Sequence, residues 1–240
     1  MNAKSFSLAL SLNVLLVLFA AGCATRQAPP AAKPAANGFT PLFPADGEPK
    51  GWRVGAWNDV SKPEESVWLV KNGVLHGGEP RGTWLMSEKE YGDFIAEFEF
   101  KLGTNGNSGF AMRAPLKGDP AFDGLELQMA DFRYNTSAKD SELTGGLYRA
   151  LAPSKQVYKP GEWNSYHIEL KGSRVLVILN GEKIQDADLS AYSEPVKRHD
   201  NTMAVPLKDR PRRGHIGFQE LSRGQDQHSM IRNARIKVLD

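Results

Sequence analysis

The densest run of reactive side chains in the sequence is Asp123-Gly124-Leu125-Glu126-Leu127-Gln128-Met129-Ala130-Asp131. Successive side chains of a strand leave opposite faces, so Glu126 and Gln128 share one face and Leu125, Leu127 and Met129 the other. A carboxyl beside an amide can move a proton while holding a hydroxyl or carbonyl oxygen. The plainer reading is the wet side of an amphipathic strand. Arg113, which closes Asn107-Ser108-Gly109-Phe110-Ala111-Met112-Arg113, offers a cation to keep Glu126 ionised or to grip a substrate oxygen. Gly145-Gly146-Leu147-Tyr148 offers close backbone approach and the phenol of Tyr148. In Gly214-His215-Ile216-Gly217-Phe218-Gln219-Glu220, alternation puts His215, Gly217 and Gln219 on one face and adds the carboxyl of Glu220. A lone histidine such as His215 is more often a satisfied structural residue than a catalyst.

Other chemistries find no support. His76, His167, His199 and His228 show no metal-ligand spacing, and neither His-Glu-x-x-His nor paired cysteines occur. No Gly-rich phosphate loop precedes a helix. No cofactor is expected, although Glu126, Asp131 and Glu220 could offer oxygen ligands to a divalent metal. The cluster Lys208-Asp209-Arg210-Pro211-Arg212-Arg213 reads as a solvated loop. Trp52, Trp57, Trp68, Trp84 and Trp163 suit either sugar stacking or a core. With 30 Lys plus Arg against 28 Asp plus Glu and a net charge of +2, nothing advertises a nucleic-acid partner.

The elements that must hold these groups are strands. Phe94, Ala96, Phe98, Phe100 and Leu102 alternate with polar positions, as do Tyr166, Ile168 and Leu170. Two hairpins are signalled by Asn72-Gly73 and Asn180-Gly181 between apolar runs. Further strands are expected at 83–86, 109–113, 124–129, 145–149, 215–219 and 231–239, and no long amphipathic helix. Among 240 residues, 23 Gly and 15 Pro fit a turn-rich single domain. The expected class is all-β, a two-sheet sandwich, with jelly roll and other Greek keys not separable by strand order.

The first 22 residues carry Lys4, an apolar run and then Ala20-Ala21-Gly22-Cys23, which reads as an export signal. The last four resemble a bacterial lipobox, with Ala20 where Leu is usual. Cys23, the single cysteine, is the expected lipidation site, and 23–37 a Pro/Ala tether. The expected location is the bacterial cell envelope, periplasmic or outer-membrane-associated, with the membrane touched only through the lipid. No intramolecular disulfide can form.

Residues 38–240 resemble the 3-keto-disaccharide hydrolase family, also described as 3-keto-α-glucoside 1,2-lyases or 3-keto-2-hydroxyglucal hydratases. The resemblance rests on Phe39-Thr40-Pro41-Leu42-Phe43 with Gly51-Trp52, Asn107-Ser108-Gly109 with Arg113, and Gly124-Leu125-Glu126-Leu127-Gln128. Thr144-Gly145-Gly146-Leu147-Tyr148, Pro160-Gly161-Glu162-Trp163-Asn164, Leu179-Asn180-Gly181 and Arg213-Gly214-His215-Ile216-Gly217-Phe218-Gln219 extend it in order. The family typically continues Asp-His-Gly after that Gln, whereas Glu220-Leu221-Ser222 stands here. The resemblance implies a concanavalin-like lectin/glucanase β-sandwich, a jelly roll, acting on 3-keto-glycosides. It implies Glu126 as base at C2, Glu220, His215 or Tyr148 as proton donor, and Arg113, Gln128, Asp131, Tyr148 and Gln219 as substrate contacts. Three rivals remain: a retaining glycosidase using Glu126-x-Gln128-x-x-Asp131, a lectin-like binding module without turnover, and a purely structural envelope protein.

Overall fold

The computed structural model describes Met1, residues 37–224 and residues 228–239. Apart from Met1, the expected export signal and Cys23 lie outside the described residues. Of two compact units, Met1–Ala31 and Ala32–Asp240, the second is the one described below.

Two antiparallel sheets make up this unit. The eight-stranded sheet takes β1 (Thr40–Pro41), β4 (Val67–Lys71), β5 (Val74–Glu79), β7 (Phe94–Lys101), β10 (Asn164–Lys171), β11 (Arg174–Leu179), β12 (Glu182–Asp188) and β16 (Met230–Val238). Its order is β12-β11-β10-β7-β16-β5-β4, with β1 paired to β16. The six-stranded sheet takes β2 (Trp52–Ala56), β3 (Asp59–Pro63), β6 (Thr83–Tyr91), β8 (Asn107–Ala114), β9 (Leu125–Ala130) and β15 (Gly214–Glu220), in the order β3-β2-β6-β15-β8-β9. A separate short ribbon pairs β13 (Val196–Lys197) with β14 (Met203–Ala204), and one helical turn, α1 (Pro120–Asp123), precedes β9.

Both hairpins expected from Asn-Gly form. Asn72 and Gly73 have φ of 52° and 73°, and Asn180 and Gly181 53° and 82°, the left-handed pair that a two-residue turn between twisted strands requires. The alternating apolar positions meet between the sheets. Phe98 of β7 lies 5.0 Å from Phe110 of β8 and 5.2 Å from Phe218 of β15, ring centre to ring centre. Each such ring, fully buried, stabilises the fold by about 1.5–3 kcal/mol. Leu125, Leu127 and Met129 join this core, so the opposite side of β9 faces outward.

The outer face of the six-stranded sheet is divided. One part is covered by a second apolar cluster of Val60, Trp84, Met86, Ala111 and Ala114, with Trp57 packed against it. The rest is open and polar. Residues 145–149 do not form the expected strand: Gln128 N–H donates to Gly146 O at 2.9 Å and Tyr148 N–H to Glu126 O at 2.9 Å, after which the chain turns away. Positive φ at Gly145 (97°) and Arg149 (58°) prevents a longer ladder.

Candidate active site

The open part of that outer face is the floor of a cleft of ≈ 700 Å³. Period-two alternation sets the floor: Glu126, Gln128 and Ala130 rise from β9, Asn107 from β8 and Gln219 from β15. Tyr148 and Arg149 form one wall, Trp57 and His199 stand on another, and Arg81, Tyr134 and Leu221 complete the rim.

Glu126 is 3% exposed, and its Oε1 is buried without a hydrogen-bond partner. Gly109, beside it on β8, makes the space, since a Cβ there would land on Glu126 Oε1. Burial pushes the Glu126 carboxyl well above its ordinary range, and the neighbouring charge of Asp119 pushes the same way. An unpartnered buried carboxylate would carry a desolvation penalty of several kcal/mol, which favours the neutral acid there. Asn107 is also buried, at 8% exposed, with Oδ1 unpartnered. Gln128 Oε1 accepts the Met129 N–H at 2.9 Å.

Asp119 is a cleft residue that the strand pattern does not reveal. It caps α1, its Oδ1 accepting the Ala121 N–H at 3.0 Å, and it is 7% exposed. Burial raises its carboxyl from 3.8 to about 7, opposed by the Ala121 hydrogen bond and by Arg198 and Arg210, and reinforced by Asp123. Asp119 and Glu126 thus line one cleft as a coupled carboxyl pair.

His199 is the second addition. It sits in the connection between β13 and β14, which Arg198 ties to α1 by forking onto both oxygens of Asp123. Its ring is caged by Phe122 at 5.3 Å, Trp57 at 5.5 Å and Tyr148 at 5.8 Å. Burial, then the Arg149 charge, lower its pKa and favour the neutral imidazole. Tyr148 is held under the Arg149 guanidinium at 5.5 Å from ring centre, while Arg149 Nε donates to Glu142 at 2.7 Å. Burial raises the Tyr148 phenol, and the nearby Glu126 carboxyl adds to this, so it is a proton donor and not a phenolate. Arg210 is buried rather than solvated: its Nη1 donates to Ala121 O at 3.1 Å and Gly124 O at 2.9 Å, fixing α1 beneath the cleft.

Of the residues singled out from sequence, Glu126, Gln128, Tyr148, Gln219 and Asp131 line the cleft, and Arg113, His215 and Glu220 do not. Arg113 departs because β8 and β15 slip register between His215 and Gly217, and Arg113 adopts φ 52°. The bulge turns the wholly buried guanidinium to the hairpin ends, where it donates to Gly92 O, Gly172 O and Asp93 Oδ1, each at 2.7 Å. His215 is on the outward side of β15 but lies toward the covered part of the sheet, with Nδ1 2.8 Å from Ser87 O. Glu220 follows Gln219 by one residue and so faces inward. Its carboxylate accepts Ser222 N–H at 2.7 Å, Ser229 N–H at 2.7 Å and Ser229 Oγ–H at 2.8 Å, which makes it an anchor for the β15–β16 connection. Asp131 touches the cleft, but its oxygens are held by Arg133 Nε at 2.6 Å, Arg133 Nη2 at 2.7 Å and Tyr158 Oη at 3.3 Å. Although burial opposes it, the Arg133 bonds bring the Asp131 pKa down, so the charge is already committed. Among the described residues, no three His, Cys, Asp or Glu side chains converge to hold a metal ion.

The fold is a two-sheet antiparallel β-sandwich with a polar cleft on the outer face of one sheet. Residues 38–237 match the model of the 3-keto-alpha-glucoside-1,2-lyase-like domain, and the chain belongs to that family. Among solved structures, a candidate glycosyl hydrolase from Parabacteroides distasonis is 27% identical, covering 84% of this chain and 99% of its own, with a TM-score of 0.68. A second candidate glycosyl hydrolase from that organism is 27% identical over 85% of this chain and 96% of its own, with a TM-score of 0.66. Among curated proteins no sequence matches.

Proposed function

We propose that this protein cleaves glycosides whose sugar carries a ketone at C3. The ketone acidifies the C2 hydrogen, so removal of that proton gives an enolate that expels the C1 substituent, and water then adds to complete a net hydrolysis. The reaction needs a proton acceptor at C2, donors for the enolate oxygen and a proton donor at the leaving oxygen. The observation that carries this reading is the buried Glu126 carboxyl with an open oxygen on the floor of a cleft that the amides of Asn107, Gln128 and Gln219 also line. A retaining glycosidase built on Glu126 and Asp131 is disfavoured, since it needs a free carboxylate and Arg133 occupies that of Asp131.

Leu221 lines the cleft where relatives typically carry His, and this favours a second reading, a carbohydrate-binding module without turnover. Incubation with a 3-keto-glucoside in deuterated water, followed by NMR, separates the two. Deuterium at C2 together with released aglycone supports the enzyme; calorimetric binding with neither refutes it. The N-terminal segment supports export and lipid anchoring through Cys23, which the mass of the mature chain from a bacterial envelope tests.

A further inference from the structure

We infer that Asp119 is the catalytic base at C2 and that Glu126 is the acid that protonates the leaving oxygen. This rests on the proposed 3-keto-glycoside reaction and reverses the role that the family resemblance suggests for Glu126. The two carboxyls differ in what surrounds them. Glu126 has an oxygen without any donor, and no cation is among the groups that shift it. Asp119 has the Ala121 N–H on one oxygen and feels the guanidiniums of Arg198 and Arg210. When the pair carries one negative charge, Asp119 is where that charge is supported, and the proton resides on Glu126. The open Oε1 of Glu126 and the open Oδ1 of Asn107, both on groups more than nine-tenths buried, mark the cleft floor as built to receive a polar ligand.

The electron and proton balance closes. The Asp119 carboxylate takes the C2 proton, the C2–H electron pair moves into the enolate, and its collapse forms the C1–C2 double bond as the C1–O bond breaks. The leaving oxygen takes the proton of Glu126. The site then holds protonated Asp119 and ionised Glu126. In hydration, Glu126 takes a proton from the water that adds at C1, and Asp119 returns its proton to C2, restoring the starting state. The position of Asp119, about 7 by burial, suits a base working near neutral pH. The groups facing it are Asp123 and Arg198, Arg210 from the segment before β15, and Glu126 from β9, with Tyr148 and His199 lining the same cleft.

The test compares Asp119→Asn and Glu126→Gln on two substrates, methyl 3-keto-glucoside and 4-nitrophenyl 3-keto-glucoside, whose leaving group departs without an acid. Asn caps a helix as well as Asp does, and Asp119→Ser provides a second capping variant without a carboxyl. Wild type exchanges C2–H for deuterium and cleaves both substrates. Asp119→Asn and Asp119→Ser are expected to lose exchange and both cleavages by about 100-fold or more. Glu126→Gln is expected to lose methyl glycoside cleavage by a similar factor while keeping C2 exchange and nitrophenol release within about tenfold. Exchange that survives in folded Asp119→Asn and Asp119→Ser overturns the assignment, as does its loss in Glu126→Gln alone. A wild-type protein that neither exchanges nor cleaves overturns the reaction itself.

Discussion

Replacing Asp119 by Asn should make the protein more stable at pH 8 and leave it little changed at pH 4. Burial lifts the Asp119 carboxyl from 3.8 to about 7 in the folded chain, after the Ala121 hydrogen bond and the two guanidiniums have pulled the other way. Between those pH values the folded chain keeps a proton that the unfolded chain has released, so stability falls as pH rises across that window and levels off above it. A rise of about 3 pH units, at about 1.4 kcal/mol each, is a cost on the order of 4 kcal/mol above pH 7. The amide has no proton to lose and caps α1 equally well, so the variant escapes that cost. Urea unfolding at pH 4, 6 and 8 reads the difference directly, and at pH 8 the melting temperature should rise on the order of 10 °C. A variant less stable than wild type at pH 8, or a difference that does not change with pH, would mean that attraction to Arg198 and Arg210 outweighs burial, and the reasoning would be wrong.

The remaining predictions separate the cleft from its scaffold. Gly109→Ala drives a methyl into the place of Glu126 Oε1 and should cut turnover of a 3-keto-glucoside by about 100-fold or more with circular dichroism unchanged. Arg113→Met removes three hydrogen bonds at the hairpin ends and should cost about 3 kcal/mol in denaturant unfolding while kcat and KM hold. Glu220→Gln puts an amide where the Ser229 N–H and hydroxyl donate, and should cost about 1–3 kcal/mol without changing the pH profile of turnover. A large change in kcat for either of the last two would return that residue to the chemistry.

The fold was legible where local rules act alone. Period-two alternation is enough to put Leu125, Leu127 and Met129 in the core and Glu126 and Gln128 outside it, and left-handed Asn-Gly turns need no tertiary help. The same alternation misleads at Arg113, because a bulge and one positive φ rotate the side chain away from the face that counting assigns it. For Glu220 the pattern was sufficient: it follows Gln219 by one residue and so must face inward. Asp119 left a trace, since Asp119-Pro120 is a capping residue followed by the first position of a helix. Nothing local says that this helix delivers its cap to Glu126. His199 is held at the cleft by long-range contacts, among them the pairing of its neighbour Arg198 with Asp123, a partner 75 positions away in sequence.

Two glycines make room for two of the buried acids of this sandwich. Gly109 yields the volume of one methyl to Glu126, and Gly77 does the same for Glu220. Neither acid is therefore portable by itself. Transplanting the cleft onto a related scaffold requires moving acid and glycine as one unit, across two neighbouring strands in the first case and across both sheets in the second. A substitution scheme that trades extended glycines for alanine to rigidify the chain would close the berth that the carboxyl occupies.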